Sequence, residues 1–179
     1  INIYTELSSK GYVDLTLDVL KKYGINIVNN NYKSFTICGN QKFKAVDYCV
    51  EGDYSQSAFF LLAACLGADI KLVGMNKDSL QGDKKIIDDI NSFGGNVKFF
   101  GDKLTCTKTN FSGADIDMSQ SPDLGPALAV LASLASGKST LYNAKRLRIK
   151  ECDRISDMLL ELNKLGARVS ETSDTMTFL

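Results

Sequence analysis

The chain has 179 residues, enough for one ordinary domain or parts of two, and its 44% hydrophobic and 23% charged residues are an ordinary globular composition. Its 21 lysines and arginines balance 21 aspartates and glutamates, which argues against a nucleic-acid binder working through a global basic field and makes any anion site local. There is no histidine, so Ser-His, Cys-His and His-metal chemistry is excluded within the chain, and acid–base work falls to Asp, Glu, Lys or Tyr.

The chain opens on Ile1, directly in strand-like sequence, and reads as a fragment or a processed polypeptide. No apolar stretch approaches the length of a membrane span, and nothing at the start resembles a signal peptide. The five cysteines (Cys38, Cys49, Cys65, Cys106 and Cys152) are widely spaced and lack a CxxC pair. They read as reduced thiols of a cytoplasmic protein.

In chain order, LSSKGYVDLTL (Leu7 to Leu17) opens an amphipathic helix with Ser8 or Ser9 as a cap candidate and Tyr12 on its flank. That helix closes at Gly24 into a strand, and Ser34 to Cys38 is a further short strand. VEGDYSQSAFF (Val50 to Phe60) leaves a strand through Gly52-Asp53 into an apolar helix over 57–66, with Asp53 and Ser55 explained as caps. Alternation over 68–72 gives the next strand. LQGDKK (Leu80 to Lys85) reads as a glycine turn and cap before a second amphipathic helix, closed at Gly94. Strands follow at Lys103 to Lys108 and Ala114 to Met118. SQSPDLGPA (Ser119 to Ala127) places Asp123 between the chain's two prolines, ahead of a second apolar helix over 127–136. A third amphipathic helix closes at Gly166, and Ala167 to Val169 and Thr175 to Leu179 complete the strands.

Two patterns recur with a period of about 70 residues. The amphipathic helices close at Gly24, Gly94 and Gly166, and the apolar helices at Gly67 and Gly137. Each unit therefore reads as strand, apolar helix, strand, amphipathic helix, strand, strand, with the first unit truncated at its start and the third at its end. Helices apolar nearly all round belong in an interior. This excludes a plain doubly wound fold, whose strands would be the most buried elements.

The segment RLRIKECDR (Arg146 to Arg154) has the strongest chemical character. If 145–150 is a strand, Arg146, Arg148 and Lys150 share one face while Leu147 and Ile149 enter the core. Glu151 then opens a helix on which Arg154, three residues on, is its neighbour. Cations delivered to a helix N-terminus suit an anionic ligand. The bland alternative is a solvated basic strand. For Asp123 the choice lies between a helix N-cap and a general base beside a buried helix end.

Taken together and in this order, SSKGYVDLTLDVLKKYG, VEGDYSQSAFFLLAA, LQGD, SPDLGPALAVLAS and RLRIKECDR resemble the blocks of the EPSP synthase (3-phosphoshikimate 1-carboxyvinyltransferase) family, the last being its Arg-x-Lys-Glu-x-Asp-Arg signature. The resemblance covers essentially all 179 residues. It implies an α/β, enolpyruvyl transferase-like inside-out repeat, with buried parallel helices surrounded by mixed four-stranded sheets. Residues 1–50 would be the last, partial repeat unit of one lobe, and 51–179 the first part of the second lobe, about two units. The implied reaction joins the enolpyruvyl group of phosphoenolpyruvate to the 5-hydroxyl of shikimate 3-phosphate and releases phosphate, without metal or cofactor, in a cytoplasmic monomer that uses neither nucleic acid nor membrane.

Carried over motif by motif, the resemblance implies that Asp123 holds the 5-hydroxyl and takes its proton. Lys150 and Glu151 would share protonation and deprotonation of the methylene carbon, with Lys150 also facing shikimate 3-phosphate. Arg154 would grip phosphoenolpyruvate, and Ser9 with Tyr12 would bind the phosphate of shikimate 3-phosphate. Many members carry Asn where Arg146 stands, so Arg146 is left without a role, and Ser55-Gln56 departs from the family's Ser-Ser pair. The family's upstream Ser-Ser-Gln, amino-terminal Lys-Ser and later Asp-His-Arg blocks have no counterpart, and the 179 residues alone are expected to be inactive. The readings weighed against this are a UDP-N-acetylglucosamine enolpyruvyl transferase, which would need a nucleotide-sugar site and a mobile-loop cysteine, and a non-catalytic module of the same fold.

Overall fold

The glycines that close the amphipathic helices fold as the repeat requires. Gly24, Gly94 and Gly166 adopt φ of 84°, 85° and 92°, a left-handed conformation that residues with a Cβ rarely take. A computed structural model of the chain describes residues 1–107 and 109–179, so the last residue of the expected strand Lys103–Lys108 lies outside the described residues.

The amphipathic helices are α1 (Lys10–Lys22), α3 (Ile86–Ser92) and α5 (Arg154–Lys164); the apolar ones are α2 (Tyr54–Cys65) and α4 (Gly125–Leu134). Strands β1 (Ile27–Asn30) and β2 (Ser34–Ile37) form an antiparallel hairpin beside α1. Strands β3 (Lys71–Leu72), β4 (Val97–Phe100) and β5 (Lys103–Cys106) form an antiparallel sheet in the order β3-β5-β4. Strands β6 (Asp115–Asp117), β7 (Ser139–Tyr142), β8 (Val169–Glu171) and β9 (Met176–Phe178) form a mixed sheet in the order β6-β7-β9-β8, with β6 and β7 parallel. One sheet thus has the expected four mixed strands; among the described residues the other two have three and two. The apparent strand over 68–72 pairs only at Lys71 and Leu72.

The helices form the interior, as the apolar patterning predicts. Ala58, Leu61 and Cys65 of α2 and Leu128, Ala129 and Leu131 of α4 are fully buried, in one core with Ile86 and Ile90 of α3 and Ile155 of α5. The sheets cover this bundle, α2 lying on β5, α4 on β7 and α5 on β8. Burial is not complete all round: Phe59 and Phe60 of α2 are about half exposed. Helix α1, by contrast, has no buried residue. No helix among the described residues is long and apolar enough to cross a membrane.

Two expectations are corrected. Residues Lys145–Ile149 form a 3-10 turn, not a strand. Leu147 enters the core against Gly125, where an added Cβ would lie 2.8 Å from Leu147 Cδ1, but Ile149 is 82% exposed. A threefold turn does not keep alternate residues on one face. Second, Cys65 and Cys106 are joined in a disulfide, whereas five reduced thiols were expected. The end of α2 lies on β5 and brings the two Cα atoms to 5.2 Å, a proximity hidden by 41 residues of sequence separation. Cys38, Cys49 and Cys152 are free and exposed.

Candidate active site

Three side chains from two distant parts of the chain converge on the carboxylate of Asp123. It sits in a 3-10 turn, Pro122–Leu124, ahead of α4. Neither that turn nor α4 has a side-chain cap, so the N-cap reading of Asp123 does not hold and its carboxylate is turned elsewhere. Asp123 Oδ1 accepts from Lys150 Nζ at 2.8 Å and from Arg154 Nη1 at 3.0 Å, while Oδ2 lies 3.1 Å from the Tyr12 hydroxyl. Burial works against the charge on Asp123, but hydrogen bonds from Lys150 and Arg154, with the Lys150 charge, outweigh it and hold the carboxyl below its usual range.

Lys150 reaches Asp123 because it leaves the 145–149 turn in an extended conformation. Arg154 is the first residue of α5, whose cap is Asp153, accepting from the amides of Ile155 at 3.1 Å and Ser156 at 3.2 Å. Glu151 therefore precedes the helix instead of opening it. It still meets Arg154 in a two-pronged pair, Nε to Oε1 and Nη2 to Oε2, both at 2.9 Å. This pairing holds the exposed Glu151 carboxyl below its usual range and raises Arg154.

The remaining arginines of the segment part company. Arg148 braces the corner from behind, with Nη1 on Asp153 at 2.8 Å and Nη2 on Glu171 at 2.6 Å. Arg146 turns the other way and donates from Nη1 to Ser9 Oγ at 2.6 Å. Ser9 is itself nearly buried and held at a φ of 55° just before α1, a conformation uncommon for a residue with a Cβ. A cation and a hydroxyl from segments 137 residues apart thus meet at one point, a pairing that the sequence reading, which left Arg146 without a role, did not find.

Helix α1 is fixed to this corner at its N-terminus. The Lys10 amide donates to Gln120 Oε1 at 3.1 Å, and Gly11 packs on Gly82 so closely that a Cβ would lie 2.8 Å from Gly82 Cα. That contact brings Tyr12 to Asp83, whose Oδ2 accepts from the Tyr12 hydroxyl at 2.7 Å. Burial and the bond to Asp83 push the Tyr12 phenol upward. Asp83 was read only as part of a turn and cap. It makes no cap bond, and it also accepts from Ser55 Oγ. Asp53 does cap α2, accepting from the Ser55 amide at 2.8 Å.

Asp123, Glu151 and Arg154 face an open depression of about 980 Å³, lined on its other side by Asp53, Ser55 and Phe59 of the α2 end. The structure thus brings Tyr12, Asp123, Lys150, Glu151 and Arg154 together, and sets Ser9 beside Arg146 at the edge of the same corner.

Comparison with known proteins fits this arrangement. The family model for EPSP synthase (3-phosphoshikimate 1-carboxyvinyltransferase) matches residues 1–179. The 3-phosphoshikimate 1-carboxyvinyltransferase of Clostridium novyi (strain NT) is 52% identical over 174 residues, covering 97% of this chain and 40% of that protein. The enzyme of the same name from Clostridioides difficile (strain 630) is 50% identical over 176 residues, covering 98% and 40%. Among solved structures, an EPSP synthase from Acinetobacter baumannii superposes with a TM-score of 0.76 at 22% identity, covering 99% of this chain and 41% of that one. The enolpyruvyl transferase NikO from Streptomyces tendae gives 0.72 at 20% identity, covering 93% and 39%. These two likenesses establish the enolpyruvyl transferase fold. The chain spans about 40% of the length of the curated relatives it matches, and it belongs to the EPSP synthase family.

Proposed function

We propose that this chain supplies one side of the active site of an enzyme that transfers the enolpyruvyl group of phosphoenolpyruvate to the 5-hydroxyl of shikimate 3-phosphate. The observation that carries the proposal is the carboxylate of Asp123, withheld from capping and set between Lys150, Arg154 and Tyr12. A general base must lie within hydrogen-bond reach of the proton it takes and must not be consumed structurally. Asp123 makes no cap bond, and its Oδ2 faces only the Tyr12 hydroxyl among the described residues, which supports the second condition.

In this reading the 5-hydroxyl gives its proton to Asp123 as its oxygen bonds to the central carbon of phosphoenolpyruvate, whose methylene carbon takes a proton. The second half of the reaction removes a proton from the resulting methyl group as the carbon–oxygen bond to phosphate breaks. Lys150 and Glu151 are the groups assigned to those two transfers. The Arg154 fork, now on Glu151, matches a carboxylate or phosphate equally well. Exchanging Glu151 for phosphoenolpyruvate would remove the contact that depresses the Glu151 carboxyl, and so raise its proton affinity when it must carry a proton.

The phosphate of shikimate 3-phosphate is assigned to Ser9 and Arg146, which together offer a hydroxyl and a guanidinium. Lys150 and Tyr12 complete the shikimate side next to Asp123. Residues 1–50 are read as the end of one lobe and 51–179 as the first part of the second, in a cytoplasmic monomer without nucleic-acid partners. The activity belongs to the full-length protein. Phosphate release from the two substrates by a full-length protein carrying this chain, with none from residues 1–179 alone, is the expected result. No release from the full-length protein would overturn the reaction, and turnover by residues 1–179 alone would overturn the one-sided site.

A further inference from the structure

Asp83 stands outside every role described above, yet it is the most buried carboxylate near the site, 2% exposed. Its Oδ2 accepts from both Tyr12 and Ser55. Its Oδ1 is buried with no hydrogen-bond partner among the described residues. A carboxylate retained only for structure is ordinarily satisfied at both oxygens, and an asparagine would serve a single acceptor's purpose at smaller desolvation cost. Something about this position calls for a strong acceptor.

The Tyr12 hydroxyl explains it. It lies 2.7 Å from Asp83 Oδ2 and 3.1 Å from Asp123 Oδ2, but a phenol has one proton and can donate it fully to only one carboxylate. The shorter contact, to Asp83, takes it. Asp123 already has Lys150 and Arg154 on Oδ1, and each donor to a carboxylate weakens it as a base. A third donor on Oδ2 would both weaken it further and occupy the oxygen left for a substrate proton. Lys150, Arg154 and Tyr12 are the ionisable groups in hydrogen-bond contact with Asp123, and only Tyr12 can turn its proton aside.

We propose that Asp83 is a positioning residue that holds the Tyr12 proton away from Asp123, keeping Asp123 Oδ2 open to accept the substrate hydroxyl's proton. It acts wholly through Tyr12. The 2.8 Å approach that a Cβ on Gly11 would make to Gly82 Cα marks the backbone contact that sets the two side chains together. No proton moves to Asp83; the hydrogen bond from Tyr12 persists while the substrate proton passes to Asp123. This inference rests on the reading of Asp123 as the base.

The test uses the full-length enzyme with saturating substrates. Asp83→Asn leaves a weaker acceptor, so the Tyr12 proton turns to Asp123, and kcat falls about 10- to 100-fold, the scale of one misdirected bond to a charged group. KM for phosphoenolpyruvate stays within about threefold. Tyr12→Phe removes the misdirected proton, so the Asp83→Asn/Tyr12→Phe double variant recovers kcat relative to Asp83→Asn alone. A purely structural role for Asp83 gives no such recovery, because the second change deletes a further contact. Wild-type kcat in Asp83→Asn, or a double variant no faster than Asp83→Asn, overturns the inference. If Asp83→Asn does not fold, the comparison passes to Asp83→Glu, where a retained carboxylate should keep kcat within about tenfold of wild type, and a larger loss with normal folding overturns the inference. Absence of turnover in the wild-type enzyme would instead overturn the proposed reaction.

Discussion

Asp53 and Asp123 stand about 70 residues apart, one repeat period, each at the head of an apolar helix. Asp53 directly precedes α2 and turns its carboxylate onto the helix amides, accepting from Ser55 N at 2.8 Å. At Asp123 the chain inserts a 3-10 turn, Pro122–Leu124, before α4 begins at Gly125. Pro122 fixes that turn and Pro126 lies in the first turn of α4, where a missing amide is harmless. The aspartate is thereby displaced from the capping position and its carboxylate faces the cations at 150 and 154. One short turn separates an aspartate that caps its helix from one whose carboxylate is left to face cations, at the same place in a repeat.

The comparison can be broken at several points, all in the full-length protein. The largest effect among the supporting residues belongs to Arg154→Lys, since a point charge cannot replace a fork; kcat/KM for phosphoenolpyruvate should fall about 100-fold in steady-state assays. Retention of wild-type values would mean that the fork holds only Glu151. Arg146→Ala should raise KM for shikimate 3-phosphate about 10-fold with a smaller change in kcat, the signature of lost substrate binding. An unchanged KM would remove Arg146 and Ser9 from the phosphate site. Asp53→Ala removes a cap and should cost about 1 kcal/mol, or about 1 °C in Tm by thermal melting of the full-length protein; an unchanged Tm would contradict the structural half of the comparison.

The smallest effect is a pH trend. The folded carboxyl of Asp123 is depressed by its donors, so its contribution to stability is fully present above the unfolded carboxylate value of about 4 and is lost as pH falls through the lower folded value. The Tm difference between wild type and Asp123→Asn should therefore hold down to about pH 4 and shrink as the pH falls further. A difference that grows toward acid pH would reverse the sign of the assignment.

The periodic part of the fold was legible in the sequence. The glycines that close the amphipathic helices and the two apolar helices follow from local patterning, and these elements stand close to where they were expected. The 145–149 segment was misread because Arg-Leu-Arg-Ile-Lys alternates like a strand, while the burial of Leu147 against Gly125 and the exposure of Ile149 are decided by packing. Arg146 meeting Ser9, and Tyr12 meeting Asp83, join segments 137 and 71 residues apart. Such pairings carry no local signal. The capping alternative for Asp123 could be settled only by the turn that displaces it, since Ser-Pro-Asp-Leu-Gly-Pro is compatible with either start of α4.

The most direct test of the central claim is phosphate release by full-length Asp123→Asn at saturating phosphoenolpyruvate and shikimate 3-phosphate, with thermal melting on the same sample. The account predicts a loss of about 10²- to 10⁴-fold in kcat, the range for removing a general base, with a cooperative melt retained near neutral pH. Turnover within a few-fold of wild type in the folded variant would contradict it.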